Sequence, residues 1–327
     1  MERLRYIDLF CGIGGFHIAT ENVCTQRAIE SACVFASDID PDCQITYEKN
    51  FGQRPVGDIC QVDASVIPNH DILYAGFPCQ PFSIIGSRLG FEDTRGTLFF
   101  EIARILNEKR PKAFVLENVK QLVGHDGGHT LKHILETLYK LGYTNSHFKV
   151  LNALDYGVPQ KRERVFIVGF LEEVTHTWPQ RPVKVQTLDD ILEKDVDKFY
   201  YASQKIRDNR LTKRDKIVDH RTIWHENKGG HISAYPYSCA LRAGASYNYL
   251  LVDGERRLTE REMLRLQGFP DTYQIACAYG VMRKLTGNSV AIPVVEAVVR
   301  SVVEALEKQS FPKAIQHTFL SEELTAI

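Results

Sequence analysis

The chain has 327 residues, 44% hydrophobic and 25% charged, with a formal net charge of −1. That length and composition fit a globular protein of one or two domains with a substantial core. No run of about 18 apolar residues occurs, which excludes a membrane-spanning helix, and the balanced charge means that any nucleic-acid footprint is local.

In chain order, Met1-Glu2-Arg3-Leu4-Arg5 runs directly into a strand pattern. It lacks the apolar core and cleavage site of a secretory signal, so a cytoplasmic protein is expected. The first strand, Tyr6 to Phe10, meets the first helix at Asp8-Leu9-Phe10-Cys11-Gly12-Ile13-Gly14-Gly15-Phe16. Glycines at such a junction let the backbone turn tightly and approach a ligand. Their spacing is G-x-G-G, not the G-x-G-x-x-G of nicotinamide enzymes, which disfavours an oxidoreductase. The second strand, Val34 to Ser37, ends in Asp38-Ile39-Asp40. A carboxylate there is placed to accept ribose hydroxyls. Gly57-Asp58-Ile59 follows, with Asp58 a candidate acceptor for an adenine amino group. Together these features point to an adenosine-containing cofactor. The competing role for Asp38 and Asp58 is helix N-capping.

A third strand, Ile72 to Ala75, stops at Gly76-Phe77-Pro78-Cys79-Gln80-Pro81-Phe82-Ser83. Cys79 therefore falls on a loop at a strand's carboxyl end, where open α/β sheets bind ligands. A thiolate there is a candidate nucleophile, helped by any of Arg88, Arg95, Arg162 or Arg164 that the fold brings near. A helix face of Leu98, Phe99, Ile102, Ile105 and Leu106 comes next, then the strand Ala113 to Leu116, then Glu117. Leu131, Ile134, Leu135, Leu138 and Leu141 mark another helix. Gln160-Lys161-Arg162-Glu163-Arg164 precedes the strand Val165 to Val168. Alternation of this kind predicts a doubly wound, mostly parallel α/β sheet.

Beyond about residue 180 the alternation stops. The chain is expected to divide into a catalytic and cofactor-binding domain, 1–185 completed by 261–327, and a smaller loop-rich domain, 186–260. The latter carries a basic run of Lys205, Arg207, Arg210, Lys213, Arg214, Lys216 and Arg221, suited to phosphates or to a solvated face. A final apolar stripe, Val294, Val295, Val298, Val299, Val302, Val303 and Leu306, is expected to pack back on the first domain. The 8 cysteines include no C-x-x-C pair and no Cys/His cluster of zinc spacing, so reduced thiols and no metal are expected.

Six ordered motifs carry a resemblance across nearly the whole chain outside about 175–255. They are DLFCGIGGF at 8–16, GFPCQPFS at 76–83, Glu117-Asn118-Val119, QKRER at 160–164, RLQGFPD at 265–271 and GNSV at 287–290. In order and spacing the chain resembles the DNA cytosine-5 methyltransferases, nearest to short bacterial restriction–modification enzymes of the HhaI type. The resemblance implies a Rossmann-like fold that uses S-adenosyl-L-methionine to methylate carbon 5 of a cytosine flipped out of duplex DNA. Carbon 5 is a poor nucleophile until a thiolate adds at carbon 6 and turns the ring into an enamine. By resemblance Cys79 is that thiolate, Glu117 holds ring nitrogen 3 and the amino group, Arg164 grips the carbonyl, and Arg162 supports the thiolate site.

The same resemblance gives the cofactor Phe10, Gly12, Gly14, Gly15, Phe16, Asp38, Ile39, Asp58 and Ile59, with Pro78 beside them. Asn288, Ser289 and Val290 would take its amino-acid end. Gln80, Ser83, Ser87, Arg88 and Arg95 would belong to a loop closing over DNA, and Arg242 is the leading base reader of the smaller domain. Two positions depart from the family pattern. Ala240-Leu241 stands where many relatives have Thr-Leu, and Ile39 stands where a larger aromatic often covers the adenine. A monomer is expected, with a cognate restriction endonuclease sharing its target. Two alternatives remain within the resemblance: a tRNA cytosine-5 methyltransferase, and a catalytically inactive DNA-binding relative.

Overall fold

The computed structural model describes residues 1–78, 98–181, 186–213 and 221–310. Its main sheet contains β1 (Arg3–Leu9), β2 (Glu30–Ser37), β3 (Ile72–Gly76), β4 (Ala113–Val119), β5 (Asn145–Asn152) and β7 (Glu163–Phe170), with the two-residue β6 (Gln160–Lys161) leading into β7. The strand order is β2-β1-β3-β4-β7-β5. The first four strands run parallel, and β7 runs against both its neighbours. The sheet is thus mostly parallel, as the alternation predicts, with one reversed strand near an edge.

Side chains alternate across each strand, and the two faces feed two separate cores. Leu4, Tyr6, Ile72, Tyr74, Ala113, Val115, Phe166 and Val168 share one. Ile7, Leu9, Leu73, Ala75, Phe114, Leu116, Val165 and Ile167 share the other. Helix α1 (Gly15–Gln26) covers the first face; α3 (Leu98–Lys109) and α4 (His129–Lys140) cover the second, while α2 (Pro41–Phe51) follows β2. β5 is absent from the strands expected above. It is an edge strand carrying exposed His147, Phe148 and Lys149, so it has no buried run to betray it.

A second lobe holds α5 (Leu188–Ile191), α6 (Gln204–Thr212) and an antiparallel sheet ordered β11-β8-β9, with β8 (Ile223–Glu226), β9 (Ile232–Tyr235) and β11 (Leu250–Val252). Its core joins Leu188, Ile191, Ile223, Leu241, Leu250 and Val252 to Met263 and Leu266 of α7 (Glu260–Leu266) and Tyr279 of α8 (Tyr279–Asn288). One short strand, β10 (Ser238–Cys239), leaves this lobe and pairs in parallel with β6. The last helix, α9 (Ile292–Ser310), sets the stripe Val294 to Leu306 into the first core against α1. Arg27, the residue that caps the C-terminus of α1, fixes that contact by pairing with Glu304 at 3.0 Å and with Glu307.

Candidate active site

The carboxyl ends of β1, β2, β3 and β4 open onto one cavity of about 680 Å3. That volume is typical of small-molecule sites, which run from roughly 300 to 1,000 Å3. The turn after β1 needs left-handed backbone at Gly12 (φ +53°) and Gly14 (φ +83°), which glycine adopts without strain. A Cβ on Gly14 would lie 2.2 Å from the Phe51 ring, so that position has no space for a side chain. The turn then presents the Gly12 N–H to Asp38 Oδ2 at 2.8 Å.

Asp38 also accepts from the Asp40 N–H at 2.9 Å. Burial raises its pKa, opposed by these two backbone donors. The adjacent acid has a different task. Asp40 caps α2 through the Asp42 N–H at 3.1 Å and pairs with Lys284 Nζ at 2.6 Å. Asp58 caps a short 3-10 turn through the Cys60 N–H at 3.0 Å, so N-capping applies to it and to Asp40.

At the other end of the cavity Glu117 is opposite Gly76 in the β3–β4 register. Strand alternation puts it on the face of Ala113 and Val115, and puts Arg164 on the face of Phe166 and Val168. The two faces coincide, and Arg164 Nε meets Glu117 Oε1 at 2.9 Å. Glu117 is buried, which raises its pKa, while the charges of Arg164 and Arg162 pull it back. Asn118 Nδ2 donates to the Phe77 carbonyl at 2.9 Å and ties the ends of β3 and β4 together.

Phe10, Gly12, Asp38, Ile39, Asp58, Ile59, Pro78, Glu117, Arg162, Arg164 and Asn288 all line this one cavity. Phe16 and Val290 lie beneath Gly76, where a Cβ would come within 3.9 and 4.0 Å of them. Gly15 abuts Val290 so closely that a Cβ would lie 2.4 Å from it. Arg162 sits between β6 and β7, and its guanidinium is spent on main-chain carbonyls of Leu241, Gly287 and Ser289. Arg242 is outside the cavity, exposed on the second lobe with its guanidinium 4.9 Å from the Tyr249 ring centre. Cys79, Gln80, Ser83, Ser87, Arg88 and Arg95 lie outside the described residues, as do Arg214 and Lys216.

Two contributors escape sequence reasoning. Lys284 reaches the Asp38–Asp40 end of the cavity from 244 positions beyond Asp40, and no local motif marks it. Gln160 lies inside a quoted motif, yet its partners are 81 to 107 positions away. The basic run also divides. Lys205 and Lys213 are exposed, but Arg210 is buried, donating to Glu226 at 2.9 Å and to the Asn248 carbonyl. It is held as a structural group instead of meeting phosphates at the surface. Arg221 pairs with Asp253 at 3.1 Å.

The carboxyl end of the α/β sheet thus gathers a glycine turn, Asp38 and the buried Glu117–Arg164 pair into one cavity. A family model described as C-5 cytosine-specific DNA methylase matches residues 4–304. The chain is 55% identical over 294 residues to the type II methyltransferase M.NgoBI of Neisseria gonorrhoeae, covering 89% of this chain and 90% of that protein. It is 53% identical over 308 residues to M.HaeII of Haemophilus aegyptius, covering 94% and 95%. The crystal structure of the S. pombe Dnmt2 methyltransferase shares the fold at 21% identity, with a TM-score of 0.69 over 94% of this chain and all of that one. The chain belongs to the C-5 cytosine-specific DNA methylase family. It is a DNA (cytosine-5) methyltransferase.

Proposed function

We propose that the protein is the modification enzyme of a type II restriction–modification system. It methylates one cytosine of a specific duplex sequence, as a monomer in the bacterial cytoplasm. The observation that carries this reading is the single cavity joining Gly12, Asp38 and Asp58 at one end to Glu117 and Arg164 at the other, with Pro78, the residue before Cys79 in sequence, in its lining. The cofactor end fits S-adenosyl-L-methionine. Gly12 and Gly14 leave a side-chain-free turn, and each Asp38 oxygen takes one backbone N–H with a further lone pair to spare. Phe10, Gly12, Asp38, Ile39, Asp58, Ile59, Pro78 and Asn288 would hold it, with Gly14, Gly15, Phe16, Ser289 and Val290 shaping the support behind. The bound cofactor would supply an electrophilic methyl group and leave as S-adenosyl-L-homocysteine.

The chain's own residues do the rest. The cytosine must leave the duplex to reach a cavity, at a cost of a few kcal/mol. The Cys79 thiolate forms a bond to carbon 6, and the ring electrons move to carbon 5, which then takes the methyl. A base removes the carbon-5 proton and the sulfur–carbon bond breaks, restoring the ring and the thiolate. Glu117, its pKa raised by burial, shares a proton with ring nitrogen 3 as charge develops there. Arg164 orients Glu117 and offers its remaining N–H groups to the ring carbonyl.

Residues 186–260 are proposed to recognise the target, with Arg242 at base edges and Gln80, Ser83, Ser87, Arg88 and Arg95 closing over the DNA. Transfer of labelled methyl from S-adenosylmethionine is the test. Label in duplex DNA, at one bisulfite-mapped motif, is the expected result. Label in tRNA instead contradicts the substrate, and no label in either contradicts an active enzyme.

A further inference from the structure

Gln160, Arg162 and Arg164 alternate along an extended segment and therefore share a face. Arg164 belongs to the Glu117 pair. The other two are buried and turn to a single residue of the second lobe, Leu241. Gln160 Oε1 accepts the Leu241 N–H at 3.1 Å, and Arg162 Nη1 donates to the Leu241 carbonyl at 3.1 Å. Both backbone groups of one residue are thus held by side chains of one motif.

The same side chains hold the wall of the cofactor cavity. Arg162 Nη2 donates to the Gly287 carbonyl at 3.1 Å and to the Ser289 carbonyl. Gln160 Nε2 donates to Gln267 Oε1 at 3.2 Å, and Gln267 Nε2 donates to the Thr286 carbonyl at 2.7 Å. Gly287 meets the strap so tightly that a Cβ would lie 2.4 Å from the Ala243 nitrogen and 2.7 Å from the Arg242 carbonyl carbon. One guanidinium therefore stands between exposed Arg242 and cavity-lining Asn288. Moving the 241–243 strap alone would strip an acceptor from a buried charge, which is costly in a dry interior. The strap and the wall must shift together.

We propose that Gln160 and Arg162 are positioning residues that couple the recognition lobe to the cofactor wall, so that seating target DNA tightens cofactor binding and cofactor binding tightens DNA. This rests on the function proposed above for the two sites. Such coupling is reciprocal: one factor must appear in both directions. The experiment titrates S-adenosylhomocysteine with and without target duplex, then target duplex with and without S-adenosylhomocysteine. The full chain is expected to give about a tenfold factor both ways.

Arg162→Lys keeps a cation but cannot reach three carbonyls, and should lower the factor to about threefold or less. Gly287→Ala drives the strap off the wall without altering Arg162 and should lower it likewise, so the test survives misfolding of either variant. A merely structural role would weaken stability or both affinities while leaving the factor intact. Parent-level coupling in the folded variants overturns the proposal. So does independent binding of the two ligands by the parent. If the parent fails to bind either ligand, the functional reading itself is refuted, and this one falls with it.

Discussion

The two lobes solve the problem of placing polar groups in different ways. In the first, long strands with buried faces do the work. Gly76, Glu117 and Arg164 reach the cavity because the register of β3, β4 and β7 puts them there, and two extensive cores hold that register. In the second, strands are three or four residues long and the core is small. Arginines take over as staples. Arg210 holds the Asn248 carbonyl, Arg283 holds Ala245 and Ser246 at 2.9 and 3.1 Å, and Arg256 pairs with fully buried Glu262 at 2.8 Å. Hydrophobic register is tolerant of change at exposed positions, whereas a staple is lost with one residue. The first lobe's cavity thus stands on packing, and the second lobe, proposed above to read the target, stands on a few charge-assisted bonds.

The largest effect is expected at Glu117. Glu117→Gln keeps size and burial but removes the titrating proton, so kcat/KM should fall by roughly 100-fold or more. Thermal unfolding of the same variant checks that the core is unaffected. A near-normal rate would show that the cavity end of β4 is only structural.

Arg210→Ala probes the staples. It leaves the Asn248 carbonyl without its donor and opens space among buried groups, and should cost about 1–3 kcal/mol in denaturant unfolding. A stability change below about 0.5 kcal/mol would place Arg210 with ordinary surface residues.

Asp38 tests the cofactor end by pH. Its carboxylate is the useful form, and burial raises its pKa, so protonation should weaken cofactor binding as pH falls, starting higher than for an ordinary aspartate. Above that range binding should be flat. Asp38→Asn should bind about 1–3 kcal/mol more weakly at neutral pH and lose the acid limb. Calorimetric titration across pH decides between these, and an unchanged acid limb in the variant would assign it to another group.

Within the second lobe, Arg242→Ala should cost roughly 1–3 kcal/mol on the target duplex alone. Lys205→Ala and Lys213→Ala should have the smallest effect, weakening target and scrambled duplexes alike and reducing the salt slope by about one unit each. Binding at several salt concentrations separates the two behaviours; equal loss on both duplexes for Arg242 would make it a phosphate contact.

Sequence legibility follows the same division. The strand-end residues of the first lobe are readable because alternation and glycine turns are local signals. Asp38, Glu117 and the glycine turn could each be located before any fold was known. The staples are not readable, and neither is Arg162 of the first lobe, which finds its acceptors 79, 125 and 127 positions away. Arg210 illustrates the failure most clearly. In a run of lysines and arginines it looks like one more solvated cation, and only the return of Asn248 and Glu226 buries it. β5 was hidden for the opposite reason, an edge strand whose polar residues leave no pattern.

The covalent chemistry on cytosine proposed for Cys79 can be trapped. Duplex DNA carrying 5-fluorocytosine at the mapped target, incubated with the full chain and S-adenosylmethionine, tests it directly, because fluorine cannot leave as the carbon-5 proton does. A denaturation-resistant protein–DNA adduct that Cys79→Ala abolishes is the expected result. An adduct that persists in Cys79→Ala would contradict it.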